Sequence, residues 1–142
     1  MTLFTSGDWH CDAKKILTES VFEFVSNRYK QLKDVVIEVN QVDLSADNAF
    51  GFCQVDEDGE FLVHIHNDLV PTEYAKTLCH ELVHVRQTLD GLFNGELREE
   101  EAYVMEDILS KEFWDSYGSG TFFSTPWTDM QYNNNVINQG EQ

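Results

Sequence analysis

The sequence predicts an α+β fold: an N-terminal helix, a small three-stranded sheet containing a hairpin, two further helices, and an irregular C-terminal tail. Three observations predict it. Apolar residues recur at helical spacing in three separate stretches. Between the first and second of these lie short β-branched or alternating runs, the pattern of half-buried strands. Two of the runs are joined by Asp56-Glu57-Asp58-Gly59, whose Asp-Gly step favours a tight hairpin turn. At 142 residues the chain is one domain by length, and 42% apolar with 13% aromatic residues can build a single core.

Residues 1–11 read as short and irregular, with a turn at Ser6-Gly7-Asp8. From Asp12 to Leu32 the positions Leu17, Val21, Phe24, Val25 and Leu32 mark an amphipathic helix. Val35 to Val39 is β-branched and short, hence a strand, and Leu44 to Asn48 is a loop. Ala49 to Val55 and Glu60 to His66 form the hairpin. In its second strand Phe61, Val63 and Ile65 share one face, and Leu62, His64 and His66 the other. Those two histidines read as half-exposed strand residues. Thr72, after Pro71, is the expected N-cap of a helix from about Glu73 to Leu89 that closes before Gly91. Asn94-Gly95 marks a turn. Glu96 to Trp114 is helical, with Leu97, Val104, Met105, Ile108 and Leu109 on its apolar side.

Residues 1–114 thus read as one domain and 115–142 as a tail with Gly-Ser-Gly, a lone proline and Asn133-Asn134-Asn135. Phe122, Phe123, Trp127 and Tyr132 make this tail too apolar for a linker, so it is expected to pack on something, the domain itself included.

Nine Lys and Arg face 26 Asp and Glu, a net charge of -17. A surface this acidic repels nucleic acid and anionic membranes, which removes both as expected partners. Cys11, Cys53 and Cys79 have no CxxC spacing, as expected of reduced thiols in a cytoplasm-like compartment. Met1 to Lys15 lacks the pattern of a signal peptide, and no stretch approaches a membrane span. A soluble, cytoplasmic protein is the expectation.

The chemistry concentrates in His80-Glu81-Leu82-Val83-His84, a match to the HExxH pattern of zinc metallopeptidases. On a helix, residues four apart stand one turn above each other, so both imidazoles reach one point in space. Glu81 flanks that point, where it can take a proton from an activated water instead of binding the metal. Ala75, Leu78, Leu82, Val85 and Leu89 lie on the opposite side, so the polar triplet shares one face.

Catalytic zinc needs a third protein group. No histidine follows His84, which leaves a carboxylate from Asp90, Glu96, Glu99, Glu100 or Glu101. Asp90, six residues after His84, fits the metzincin spacing, but Gln87 stands where that pattern has its glycine. Glu101 is one turn from Leu97, Val104 and Met105, and a carboxylate set in an apolar stripe faces inward. Glu99, with Glu96, Ala102, Tyr103 and Glu106 around it, has the profile of a solvated face. Glu101 is therefore the expected ligand, with Glu100 and Asp90 as alternatives.

Cys79-His80-Glu81-Leu82-Val83-His84-Val85-Arg86-Gln87 and Glu100-Glu101-Ala102-Tyr103 resemble the gluzincin metallopeptidases, and more narrowly the small SprT-like and minigluzincin-type proteins, over about residues 12–114. The resemblance implies a helix, a three-stranded sheet whose edge strand aligns substrate, two helices carrying the ligands, Zn2+, and hydrolysis of peptide bonds. It implies His80, His84 and Glu101 as ligands, Glu81 as general base, and a peptide or protein as substrate. Many gluzincins orient a histidine with a carboxylate one turn after the ligand Glu; here that position is Met105. The basic or zinc-ribbon extensions of DNA-associated SprT-like proteins are lacking, so a DNA role is not carried over. Tyr103 and His66 are candidates to stabilise the oxyanion, as is Tyr132 if the tail folds over the site. Two other readings are a non-catalytic zinc protein that acts as an interaction module and a latent peptidase whose tail occludes its cleft.

Overall fold

The computed structural model describes residues 2–9 and 12–117. In chain order the elements are β1 (Thr2–Gly7), α1 (Asp12–Arg28), β2 (Val36–Val42), β3 (Gly51–Val55), β4 (Phe61–His66), α2 (Pro71–Leu89) and α3 (Gly95–Tyr117). The class is mixed α and β, as expected, but the sheet has four strands in the order β1-β2-β4-β3.

The additional strand is β1, in the segment expected to be irregular. It pairs parallel to β2, Leu3 opposite Ile37 and Thr5 opposite Val39. Leu3 packs on the core while Phe4 and Thr5 are exposed, so this strand is made by the open edge of β2 more than by its own pattern. Gly7 ends it at φ +89, and a Cβ there would collide with the Gln41 carbonyl. That close approach lets Asp8 N donate to Gln41 O at 2.8 Å.

β2 and β4 run parallel, and β3 and β4 form the antiparallel hairpin expected from Asp56–Gly59. The strict alternation of β4 buries Phe61, Val63 and Ile65 under the helices, beside Ile37 and Val39 of β2. All three helices and one face of the sheet contribute to a single core. α2 is its centre, in contact with α1, α3, β3 and β4.

Several element ends differ from expectation. β2 runs on to Val42, β3 starts at Gly51, and α3 continues to Tyr117, into the segment expected to be an irregular tail. α1 stops at Arg28, and Leu32 reaches the core from a 3-10 turn at Lys30–Asp34. α2 begins at Pro71 after an extended Val70; the preset φ of proline starts the helix, and Thr72 is not the cap. α3 begins at Gly95, where Asn94 Oδ1 accepts from Leu97 N at 3.0 Å, so Asn94 caps the helix.

The larger correction concerns the face of α3. Ala102, Leu109 and Phe113 are buried and Met105 packs against them, whereas Leu97, Val104 and Ile108 are 51%, 59% and 39% exposed. Apolar residues lie all round this helix, so periodicity alone does not select the docking side. Small Ala102 allows close packing against α2, and the rotation this sets determines which glutamates face the histidines.

Candidate metal centre

The local fold builds the site from two packed helices and one strand edge. α2 presents His80 and His84 one turn apart, with Nε2 atoms 3.1 Å from each other. α3 brings Glu99 to the same point: Oε1 lies 3.3 Å from His80 Nε2 and Oε2 lies 3.0 Å from His84 Nε2. One ligand atom from each of the three residues falls within a 4.8 Å span, the spacing of a metal-binding set.

The other ring nitrogens are engaged elsewhere. His80 Nδ1 is 2.6 Å from Glu106 Oε1, and His84 Nδ1 is 2.8 Å from Gln87 Oε1. Glu106 also faces Lys76, 3.5 Å away. Burial lowers the His84 pKa, opposed by the Gln87 hydrogen bond.

Glu81 is only 4% exposed, and its Oε1 is buried without a hydrogen-bond partner among the described residues. Burial, reinforced by the neighbouring Glu99 and Glu106 carboxylates, pushes its pKa up to about 8. Gly51, the first residue of β3, permits this crowding. A Cβ on Gly51 would stand 2.9 Å from His64 O, 3.1 Å from Thr77 Cγ2 and 3.4 Å from Glu81 Cγ.

A cleft of about 810 Å3 opens over the cluster, lined by Phe50, Phe52 and Cys53 on the β3 side and by Glu99, Tyr103 and Glu106 on the α3 side. The Tyr103 ring meets His80 edge-on, with centroids 5.0 Å apart, and is 62% exposed.

Of the residues singled out in the sequence, His80, Glu81, His84 and Tyr103 come together. Glu101 does not join them. It accepts from Gln87 Nε2 at 2.9 Å and pairs with the Arg86 guanidinium, and these two contacts hold its carboxyl below the usual range, Gln87 contributing most. The physical reason is the rotation of α3: with Ala102 buried, Glu99, Tyr103 and Glu106 share the face toward the histidines, and Glu101 lies off it. Glu100 is exposed, and Asp90 binds Gln31 and Arg86. His66 accepts from Leu44 N, and His64 stacks on Phe52, so neither strand histidine joins the cluster. Tyr132, Cys11 and the aromatic residues of the tail lie outside the described residues.

The sequence pattern set Glu99 aside as a solvated residue and gave Glu106 and Gln87 no role at the site. A signal for the first two exists. Glu99, Tyr103 and Glu106 stand four and three apart, the spacing of one helix face, although it resembles a solvated face when α2 is not in view. Comparison with known protein families, characterised proteins and solved structures finds no match for this chain.

Proposed function

We propose that the chain is a zinc-dependent peptidase in which His80, His84 and Glu99 hold the metal and Glu81 is the general base. One observation carries the reading: two imidazole Nε2 atoms and a carboxylate converge, while Glu106 and Gln87 occupy both Nδ1 atoms. A carboxylate only accepts hydrogen bonds, so a neutral His80 holds its proton on Nδ1 and turns a bare lone pair toward the cluster. Converging lone pairs repel unless a cation lies between them. Two imidazoles and one carboxylate are a zinc donor set, and three protein ligands leave a position open, as in catalytic sites and not in closed structural ones.

Zinc bound there would supply a Lewis acid and lower the pKa of a coordinated water. The chain's own groups do the rest. Glu81 Oε1, buried beside the donor set and without a partner among the described residues, receives the proton of the attacking water and passes it to the leaving amine. Tyr103, at the mouth of the cleft, is the hydroxyl donor best situated to stabilise the oxyanion. β3 is the sheet edge beside the cleft, and an extended peptide pairing along it would have Phe50 and Phe52 as an apolar wall.

Glu81→Gln is the test, because it removes the base and retains every proposed ligand. Purified wild-type protein should carry about one zinc per chain and digest a denatured casein-like substrate. The variant should keep the zinc and lose the digestion. A wild-type protein with no affinity for zinc overturns the reading, and so does a variant of undiminished activity.

A further inference from the structure

We infer that Gln87 and Glu101 form an orienting relay that fixes the tautomer of His84 and turns its Nε2 lone pair to the metal; this rests on the zinc reading above. Gln87 is fully buried, so the direction of its amide is set by its neighbours. Its Nε2 is 3.0 Å from the Arg98 carbonyl and 2.9 Å from Glu101 Oε1. Both are acceptors only, so this end must be the NH2 group, which donates to each. Gln87 Oε1 is thereby left 2.8 Å from His84 Nδ1 and can only accept. The proton of neutral His84 therefore resides on Nδ1, and Nε2 is bare.

Glu101 is itself anchored. It pairs with Arg86, whose guanidinium also donates to Asp90 and stands 4.9 Å over the Tyr29 ring. A carboxylate receiving from the amide also polarises it, which strengthens the Oε1 acceptor at its other end. Glu101 is thus a positioning residue that acts on the metal through Gln87 and His84. It does for His84, through one intermediate, what Glu106 does directly for His80.

Long-range 15N–1H NMR of the imidazoles in metal-free protein reads the tautomer directly, and chelator competition reads zinc affinity. Wild type should show His84 protonated on Nδ1. Gln87→Met, similar in volume but unable to accept strongly, should give mixed or Nε2-protonated His84. It should also lose about 10–100-fold in zinc affinity, the usual scale for groups that orient a ligand. Gln87→Glu keeps an oxygen acceptor on His84 Nδ1, while its second oxygen faces the Arg98 carbonyl and Glu101 in place of the NH2 group. It should keep the Nδ1-protonated form that Gln87→Met loses, which separates the acceptor's effect from a packing defect. An Nε2-protonated His84 in the wild type overturns the relay without any variant. A folded Gln87→Met variant with unchanged tautomer and affinity overturns it as well. If the wild type takes up no zinc, the metal reading fails, while the metal-free tautomers still decide the relay.

Discussion

Glu99 and Glu101 differ by two positions on α3 and have opposite surroundings. Glu99 faces the two histidines, whereas Glu101 meets Arg86 and Gln87. Glu99→Ala should lower zinc affinity by more than about 100-fold and remove the zinc-dependent rise in melting temperature, because a formed site is absent from the unfolded chain. Glu101→Ala should keep most of that rise and lose about tenfold in affinity, the scale of an orienting group. Thermal denaturation with and without zinc distinguishes them; the reverse ranking would place Glu101 on the metal. His80, Glu81 and His84 were legible from sequence because their geometry is set within one helical turn. Glu99 was not, since its place beside the histidines depends on which side of α3 meets α2. Leu97 and Val104 suggested the wrong side, and both are exposed.

Among elements, β3 and α2 set the width of the site at Gly51. Gly51→Ala needs no unusual backbone angle, but its methyl would lie 2.9 Å from a β4 carbonyl and 3.1 Å from Thr77. The strand and helix must part slightly, at a cost of about 1–3 kcal/mol, as for other overpacked sites. Denaturant unfolding of the metal-free variant should show this loss. Activity should fall further than stability alone predicts, because Glu81 Cγ is the third neighbour of that methyl. The hairpin and α2 were legible because their signals are local: an Asp-Gly step, strict alternation, and an apolar stripe at helical spacing. β1 was not, because its pairing depends on β2, which lies more than thirty residues away.

For the whole molecule, charge is the dominant physical fact. A net charge of -17 repels itself in the compact state, and Glu73, Glu81, Glu99 and Glu106 line one cleft in which Lys76 and Arg98 are the Lys and Arg neighbours among the described residues. Raising salt from about 10 mM to 200 mM, across which the screening length falls from about 30 Å to under 10 Å, should stabilise the metal-free protein. A rise of about 2–5 °C in melting temperature is expected, and no change would show that the acids are already balanced. Among the described residues no helix is long and apolar enough to cross a membrane.

One consequence of the α3 face extends beyond the site. Glu99, Glu101 and Glu106 all travel on this helix, so on the zinc reading the proposed third ligand, the contact of Glu106 with His80 and that of Glu101 with Gln87 would arrive or leave together. Docking of α3 and capture of the ion would then be a single cooperative event, and chelation should be felt as a loosening of that helix. Amide hydrogen exchange would show it: protection over residues 99–106 should fall when zinc is withdrawn, while β2 and β4, paired in the core of the sheet, should keep theirs.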